Sequence, residues 1–407
     1  MKRGLDDYRT IVGDNTINSL FKKAKKLYGK HIVNINSTYY GGGVAELLNS
    51  LVPLLNDIGV DTDWRNLRGT SDFFNVTKVF HNALQSGPIH LTDMKKKLYL
   101  QTNEDFSVYC HINADAVIIH DPQPMPLIKF YKKRQPWIWR CHIDLSNPNE
   151  VLWDYLKQFL VRYDEYIISS EKYKAKGLDM KYRIINPAID PLTSKNMDIS
   201  DKVIDKYMKK FGIPTDKPLI TQISRFDKWK DPEGVVSAFK IVKEKRDVRL
   251  VLCGSMATDD PEGQQIYERI RKIANGYIKN GDIILINVAN DILVNALQRK
   301  SDVILQKSIR EGFGLTVTEA LWKARPVIAS NVGGIALQIK NNETGFLVDP
   351  YDLQGVADKI IYILDHPKEA EEMGKKAKEF VRKNFLITRL VSDYLDLFNN
   401  ILFGKIY

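Results

Sequence analysis

Cysteine is scarce in this chain. Its 407 residues hold three, Cys110, Cys141 and Cys253, widely spaced and without a C-x-x-C pair. That excludes a disulfide framework or a zinc knuckle and fits a reducing cytoplasm. Long apolar runs are absent as well: none approaches the ~20 residues that span a bilayer. The start, Met1-Lys2-Arg3-Gly4-Leu5-Asp6-Asp7, runs into polar sequence and not into an apolar signal core. The expectation is a cytoplasmic protein with neither membrane span nor signal peptide. No repeat with a period of about 20 to 50 residues is present, which excludes a solenoid. Neither hydrophobic residues, at 44%, nor charged residues, at 27%, depart from globular usage, so a disordered or collagen-like chain is excluded too.

The charge is one-sided. Sixty Lys+Arg against fifty Asp+Glu give a formal charge of +10, compatible with nucleic acid, anionic lipid or a phosphorylated small ligand. The densest basic stretches, Lys22-Lys23-Ala24-Lys25-Lys26, Lys95-Lys96-Lys97 and Lys132-Lys133-Arg134, are short and separated. They lack the aromatic interleaving of an RNA-binding sheet and read as solvated helix faces.

Short apolar runs alternate with helical-period segments of ~10 to 18 residues, the pattern of parallel βαβ units. Strands are expected at 31–36, 60–64, 116–120, 137–141, 165–169 and 182–185, then at 219–224, 248–253, 283–287, 303–306, 326–330 and 345–348. Between the two series, Pro187 to Pro218 is polar and turn-rich around one charged helix, the character of an interdomain connection. The organisation expected is a first domain over 1–190, a linker over 191–217 and a second domain over 218–386. A final helix, about 387–407, packs back onto the first domain. Two doubly wound α/β domains would face each other, with a ligand crevice at the carboxyl ends of their strands.

Motifs directly after strands therefore carry the most weight. Ser37-Thr38-Tyr39-Tyr40-Gly41-Gly42-Gly43-Val44 follows the first strand and opens a helix running to about Ile58. Its glycines let backbone N–H groups approach a phosphate at a helix start. It is not G-x-G-x-x-G, which counts against a nicotinamide enzyme. Ser224-Arg225-Phe226-Asp227-Lys228-Trp229-Lys230 follows the first strand of the second series. Arg225 can bind oxyanions bidentately and Lys230 adds a mobile charge, a pair suited to a diphosphate leaving group. In Glu311-Gly312-Phe313-Gly314-Leu315-Thr316-Val317-Thr318-Glu319-Ala320 a Gly-rich turn separates two glutamates, and a helix begins near Leu315 or Thr316. Helix N–H groups there face an anion, while one carboxylate could meet a sugar hydroxyl and the other a ribose.

Glu311-x7-Glu319, with Arg225 and Lys230 upstream and a Gly-rich loop near residue 42, resembles the large retaining glycosyltransferase family of GT-B fold. That family includes sucrose synthases, bacterial glycogen synthases and trehalose phosphorylases. A narrower resemblance, over nearly the whole chain, is to the trehalose glycosyltransferring synthases. Asn36-Ser37-Thr38 onward to Glu46, His120-Asp121-Pro122-Gln123-Pro124, Trp139-Arg140-Cys141-His142-Ile143-Asp144, and Ser308 to Ala320 carry it. The resemblance implies a nucleotide-activated glucose (UDP- or ADP-glucose) as donor, free glucose as acceptor and trehalose as product, with the reverse reaction open.

By the family pattern Arg225 and Lys230 bind the donor diphosphate, Glu311 the glucosyl hydroxyls, and Glu319 the ribose. The backbone of Gly312, Phe313, Gly314, Leu315 and Thr316 would meet sugar and phosphates, and Gly42 and Gly43 would approach from the other domain. His142 would face the transferred glucose, with Tyr39, Tyr40, Asp121 and Gln123 on the acceptor side. Where the family lysine is commonly followed by glycine, this chain has Asp231. No glycosidase-like carboxylate pair stands out, so a same-face substitution is expected, in which the departing phosphate oxygen takes the acceptor proton.

No metal and no cofactor are called for: Asp61-Thr62-Asp63 superficially matches a metal-binding D-x-D but lacks supporting ligands. Alternatives are a trehalose phosphorylase, which would use phosphate and give Glu319 no ribose to hold, another retaining nucleotide-sugar glycosyltransferase, or, from a different class, a basic nucleic-acid-binding protein. A homodimer remains open.

Overall fold

The structure is a computed structural model and describes residues 3–38, 42–255 and 261–404. Among them twelve strands form two six-stranded sheets, parallel throughout. The first holds β1 (His31–Asn36), β2 (Asp61–Asn66), β3 (Ala116–His120), β4 (Trp137–Arg140), β5 (Glu165–Ile168) and β6 (Tyr182–Ile184). The second holds β7 (Leu219–Ile223), β8 (Arg249–Gly254), β9 (Ile283–Asn287), β10 (Val303–Gln306), β11 (Val327–Ser330) and β12 (Phe346–Val348). Each strand expected from the sequence is present, with ends shifted by at most two residues. The runs were legible because strands covered on both faces are near-continuously apolar; β3 and β7 are buried at every position.

The strand orders are 2-1-3-4-5-6 and 12-11-10-7-8-9. In the first sheet the chain leaves β1 for β2 on one side and returns to β3 on the other. In the second, β8 and β9 lie on one side of β7 and β10 on its other side. Such a reversal of winding opens a crevice beyond the carboxyl ends of the two strands involved. The loops leaving β1 and β3 are thereby set next to each other, and so are the loops leaving β7 and β10.

The chain forms two compact units. One runs to Ala188 and resumes at Ile387; the other is Ile189–Leu386. The stretch 191–217 lies within the second unit and carries the charged helix Asp201–Lys210. The helix Ile387–Phe403 packs on the helices Asp14–Ala24 and Gly43–Asp57 of the first unit. Its apolar face, Leu390, Val391, Tyr394, Leu395, Leu397 and Phe398, is buried there. Polar contacts fix the helix: Lys23 Nζ to Asp396 Oδ2 at 2.5 Å and Asn399 Nδ2 to the Lys23 carbonyl at 2.9 Å.

Candidate functional site

In the second unit, β7 ends at Ile223 and the chain turns away at Ser224. Gly254, ending the neighbouring β8, makes room: a Cβ there would sit 2.0 Å from the Ser224 carbonyl oxygen. Arg225 follows, its side chain half-exposed and its guanidinium 3.6 Å from Asp227. Asp227 Oδ1 accepts the Trp229 N–H at 2.8 Å and tightens the loop into the short turn Lys228–Lys230.

Asp231, at the position where the resemblance leads one to expect glycine, adopts the left-handed conformation, φ +44°, that glycine adopts without strain. Its carboxylate offsets this cost in two ways. Oδ1 accepts the Gly234 N–H at 3.0 Å, capping the helix Pro232–Lys243, and Oδ2 pairs with the buried ammonium of Lys307. The loop thus keeps a glycine-like backbone and gains a tether.

Lys307 is the first residue after β10, the strand across the switch point. Its N–H donates to Gln222 Oε1 at 2.9 Å, while Gln222 Nε2 donates to the Lys230 carbonyl at 2.9 Å. One buried glutamine on β7 therefore ties the two loops together, and the Ile309 N–H adds a bond to the Trp229 carbonyl at 2.8 Å. The result is direct contact between two expected site residues: Lys230 Nζ donates to Glu311 Oε2.

Beyond Glu311 the chain passes Gly312 and Phe313 and reaches Gly314, at φ +84°, where the helix Leu315–Trp322 starts. Gly334 lets this turn close down: a Cβ there would lie 2.4 Å from the Gly312 oxygen and 2.6 Å from Phe313 Cα. Gln338 Nε2 donates to the Phe313 carbonyl at 2.5 Å, and Gln338 Oε1 accepts from Thr318 Oγ1 at 2.5 Å. The Phe313 ring is buried against Phe385, so only its backbone faces the turn. Thr316 Oγ1 is held by Gln306 Oε1 at 2.9 Å. Glu319, 1% exposed, lies one turn further. Gln298 Nε2 reaches its Oε2 at 3.4 Å and Lys195 Nζ lies 3.7 Å from its Oε1.

In the first unit, Gly42 (φ +138°) and Gly43 start the helix Gly43–Asp57; Tyr39 and Tyr40 lie outside the described residues. Asp121, following β3, has φ +63° and is held in that unusual conformation from three directions. Its N–H donates to the Arg140 carbonyl at 2.8 Å, its carbonyl accepts Trp139 Nε1 at 2.9 Å, and its Oδ1 accepts the His142 N–H at 2.7 Å. Burial pushes its carboxyl up to about 7.

Gln123 is held through its backbone, the carbonyl accepting Asn103 Nδ2 at 3.1 Å, and its side-chain oxygen is buried with no hydrogen-bond partner among the described residues. His142 follows β4, and its ring nitrogen Nε2 lies 3.0 Å from His120 Nδ1. Burial, aided by the Arg140 guanidinium, pushes His120 down to about 3 and His142 well below its ordinary value. Both imidazoles are therefore neutral at pH 7.

The Asp61-Thr62-Asp63 stretch opens β2 at the amino end of the sheet, away from the crevice end. His31, Asp61 and Asp63 bring ligand atoms within 4.8 Å of one another. Asp63 Oδ2 is already taken by His31 Nε2 at 3.1 Å and by the Arg65 guanidinium at 3.0 Å.

Comparison with known proteins decides the lineage. Residues 34–175 match the family described as "Trehalose synthase, N-terminal domain", and 203–380 match "Glycosyl transferases group 1". The trehalose synthase of Thermococcus litoralis is 50% identical over 404 residues, 97% of each chain. The chain belongs to the trehalose synthase family of glycosyltransferases. A trehalose phosphorylase of Pleurotus pulmonarius is 30% identical over 93% of this chain and 58% of its own length. A solved structure described as "Trehalose-6-phosphate from E. coli bound with UDP-2-fluoro glucose" shares the fold, with a TM-score of 0.74 at 16% identity over 91% of this chain and 99% of that one. The two-sheet architecture is accordingly that of GT-B glycosyltransferases, and the protein is a trehalose-related glycosyltransferase. Among the described residues no helix is long and apolar enough to cross a membrane.

Set in this family, the sequence reading picked out Lys230 and Glu311, which the fold brings into contact, and missed the residues that hold them. Gln222, Gln306 and Lys307 escaped notice, although two of them left a signal. A polar side chain near the carboxyl end of an otherwise apolar strand, as in Leu-Ile-Thr-Gln-Ile and Val-Ile-Leu-Gln, must find a buried partner. Asn34 in β1 carries the same mark.

Proposed function

We propose that the protein is a retaining glucosyltransferase that makes trehalose from a nucleoside-diphosphate glucose, UDP- or ADP-glucose, and free glucose. The observation that carries this reading is the Lys230–Glu311 pair at the switch point of the second sheet, beside the start of the helix Leu315–Trp322. A glucosyl diphosphate offers a complement to each member: oxyanions for the ammonium and the helix N–H groups, and hydroxyls for the carboxylate. Donor binding thus replaces one internal ion pair with two external contacts.

In this reading Arg225 and Lys230 absorb the charge that develops on the departing phosphate oxygen, the kind of preorganised stabilisation that dominates many transfer reactions. That oxygen takes the proton of the incoming glucose hydroxyl as the new bond forms on the same face of the sugar. Glu311 orients the transferred glucose, and the backbone from Gly312 to Thr316 holds sugar and phosphates. Glu319 accepts from the ribose once the Lys195 side chain gives way. On the first unit, Gly42 and Gly43 are assigned to donor approach, His142 to the transferred glucose, and Asp121, Gln123, Tyr39 and Tyr40 to the acceptor. No step calls for a cofactor or a metal.

Higher identity to a trehalose synthase than to a trehalose phosphorylase, 50% against 30%, favours the nucleotide donor over phosphate. The deciding experiment incubates the protein with UDP-glucose or ADP-glucose and free glucose, following disaccharide by NMR and nucleoside diphosphate in parallel, with a glucose-free control. Trehalose formed with matched diphosphate supports the reading. Trehalose cleavage that needs inorganic phosphate, with no product from either nucleotide, replaces it with phosphorolysis.

A further inference from the structure

Three polar side chains on adjacent strands of the first sheet form one hydrogen-bonded line. Asn34 is on β1, His120 ends β3 and His142 follows β4. Asn34 and His120 are each 1% exposed, so neither can satisfy itself with water. His120 Nε2 lies 3.0 Å from Asn34 Oδ1, and His120 Nδ1 lies 3.0 Å from His142 Nε2.

The direction of the line follows from what each group can donate. Asn34 Nδ2 points at the Asp63 carbonyl at 3.5 Å. Turning the amide over would set two oxygens against each other, so Oδ1 faces His120 and is an acceptor only. His120 must then carry its proton on Nε2 and keep a lone pair on Nδ1. His142 must in turn carry its proton on Nε2, leaving its own Nδ1 as the lone-pair nitrogen. This holds only while both rings are neutral, because imidazolium donates from both nitrogens. The Arg140 guanidinium opposes protonation of both rings, and Asp121 Oδ1 is occupied by the His142 N–H. Nδ1 of His142 has no hydrogen-bond partner among the described residues.

We propose that Asn34 and His120 are positioning residues that lock His142 in its Nε2–H tautomer, dedicating Nδ1 to accept a hydrogen bond from a ligand hydroxyl. The ligand class is a polyol and not an oxyanion: a lone pair takes an O–H and repels a phosphate oxygen. This assignment of the ligand rests on His142 being the sugar-facing residue proposed above; the tautomer lock does not.

The test is long-range ¹H–¹⁵N correlation of the full protein labelled at histidine, with His142→Gln to assign the signal. The expected result is a protonated Nε2 and an unprotonated Nδ1 on His142 without any sugar present. An Nδ1–H signal assigned to His142 in the unmodified protein overturns the proposal; His31 and His366, whose Nδ1 atoms face the Asn113 and Tyr362 carbonyls, give Nδ1–H signals of their own. In Asn34→Leu and His120→Leu the pattern should become a tautomer mixture; an unchanged pattern in both overturns the positioning role. His120→Asn, whose side-chain oxygen can stand where Nδ1 was, should restore it.

In glucosyl transfer from UDP- or ADP-glucose, both Leu variants should lose about tenfold in kcat, the scale of one neutral hydrogen bond, with the Asn variant recovering most of it. If His142→Ala leaves transfer untouched while the tautomer is as described, the sugar assignment of His142 falls and the lock stands. If the tautomer is wrong while transfer needs His142, the lock falls and the sugar assignment stands.

Discussion

The Lys230 ammonium and the Glu311 carboxylate are hydrogen-bonded partners, although one belongs to the loop after β7 and the other to the loop after β10. Their side chains are 17% and 12% exposed. Each charge is thereby satisfied before a ligand arrives, which keeps two opposite groups at the site without the cost of burying either alone. A ligand that presents both an anion and hydroxyls can divide the pair, whereas one that presents only an anion strands Glu311.

The first prediction concerns the leaving group. Arg225→Ala and Lys230→Ala should each weaken glucosyl transfer by more than ~100-fold, the scale of losing one well-placed charge-stabilising donor. Initial rates with saturating glucose check this, and near-native rates for either variant reject its assignment to the diphosphate.

Glu319→Gln should act mainly on donor affinity. If the carboxylate serves the ribose, the variant raises the KM for UDP- or ADP-glucose and leaves kcat close to that of the native chain. Steady-state kinetics across donor concentration separate the two parameters. A fall in kcat at constant KM would move Glu319 from binding to the chemistry.

The Asp231–Lys307 pair should be worth more to stability than a surface ion pair, because the two side chains are 19% and 3% exposed. Asp231→Ala leaves a buried ammonium without its partner and removes a helix cap, a loss of ~3 to 5 kcal/mol. Adding Lys307→Met should recover a large part of that loss. Urea unfolding of the four members of this cycle measures the coupling; additive losses would mean that the pair is not a unit.

Asp121 should leave a signature in the pH dependence of stability. Its carboxyl is raised to about 7 in the folded chain, against about 3.9 when unfolded. Between those values the folded state binds the extra proton, so this group's contribution to stability falls as pH rises from about 4 to 7. His120, depressed to about 3, runs the opposite way, and does so equally in both proteins compared. Asp121→Asn keeps an acceptor for the His142 N–H and tolerates the positive φ. The melting temperature of the variant relative to the native chain should therefore climb over that interval. A constant difference would show that Asp121 titrates as an ordinary carboxyl.

The strands were legible because a parallel sheet covered on both faces turns strand position into uninterrupted apolar sequence. The turn at Gly314 was legible for a related reason, since two glycines around Phe313 mark a backbone that must bend at a helix start. Gln222 and Lys307 were not, because their importance comes from strand order: β7 and β10 are neighbours although about eighty residues of sequence lie between them, and no local pattern states that adjacency. Asp231 was noticed as a departure from glycine, yet its remedy, a cap and a buried ion pair, required Lys307 to be in place. The line from Asn34 to His142 also depends on three strands being set side by side.

The helix Ile387–Phe403 gives the chain a particular order of completion. Residues 189–386 are spliced into the first unit, entering and leaving side by side, with the Ile189 N–H bonded to the Phe385 carbonyl at 2.9 Å. During synthesis residues up to Ala188 emerge first but lack their covering helix until the whole inserted unit has been made. Until then the apolar surface on the helices Asp14–Ala24 and Gly43–Asp57 has nothing to close it. The inserted unit, by contrast, is whole before that helix leaves the ribosome. Maturation of the first unit should therefore wait for a segment made after the inserted unit, and a stop just after Leu386 would leave the inserted unit whole and damage the unit that precedes it.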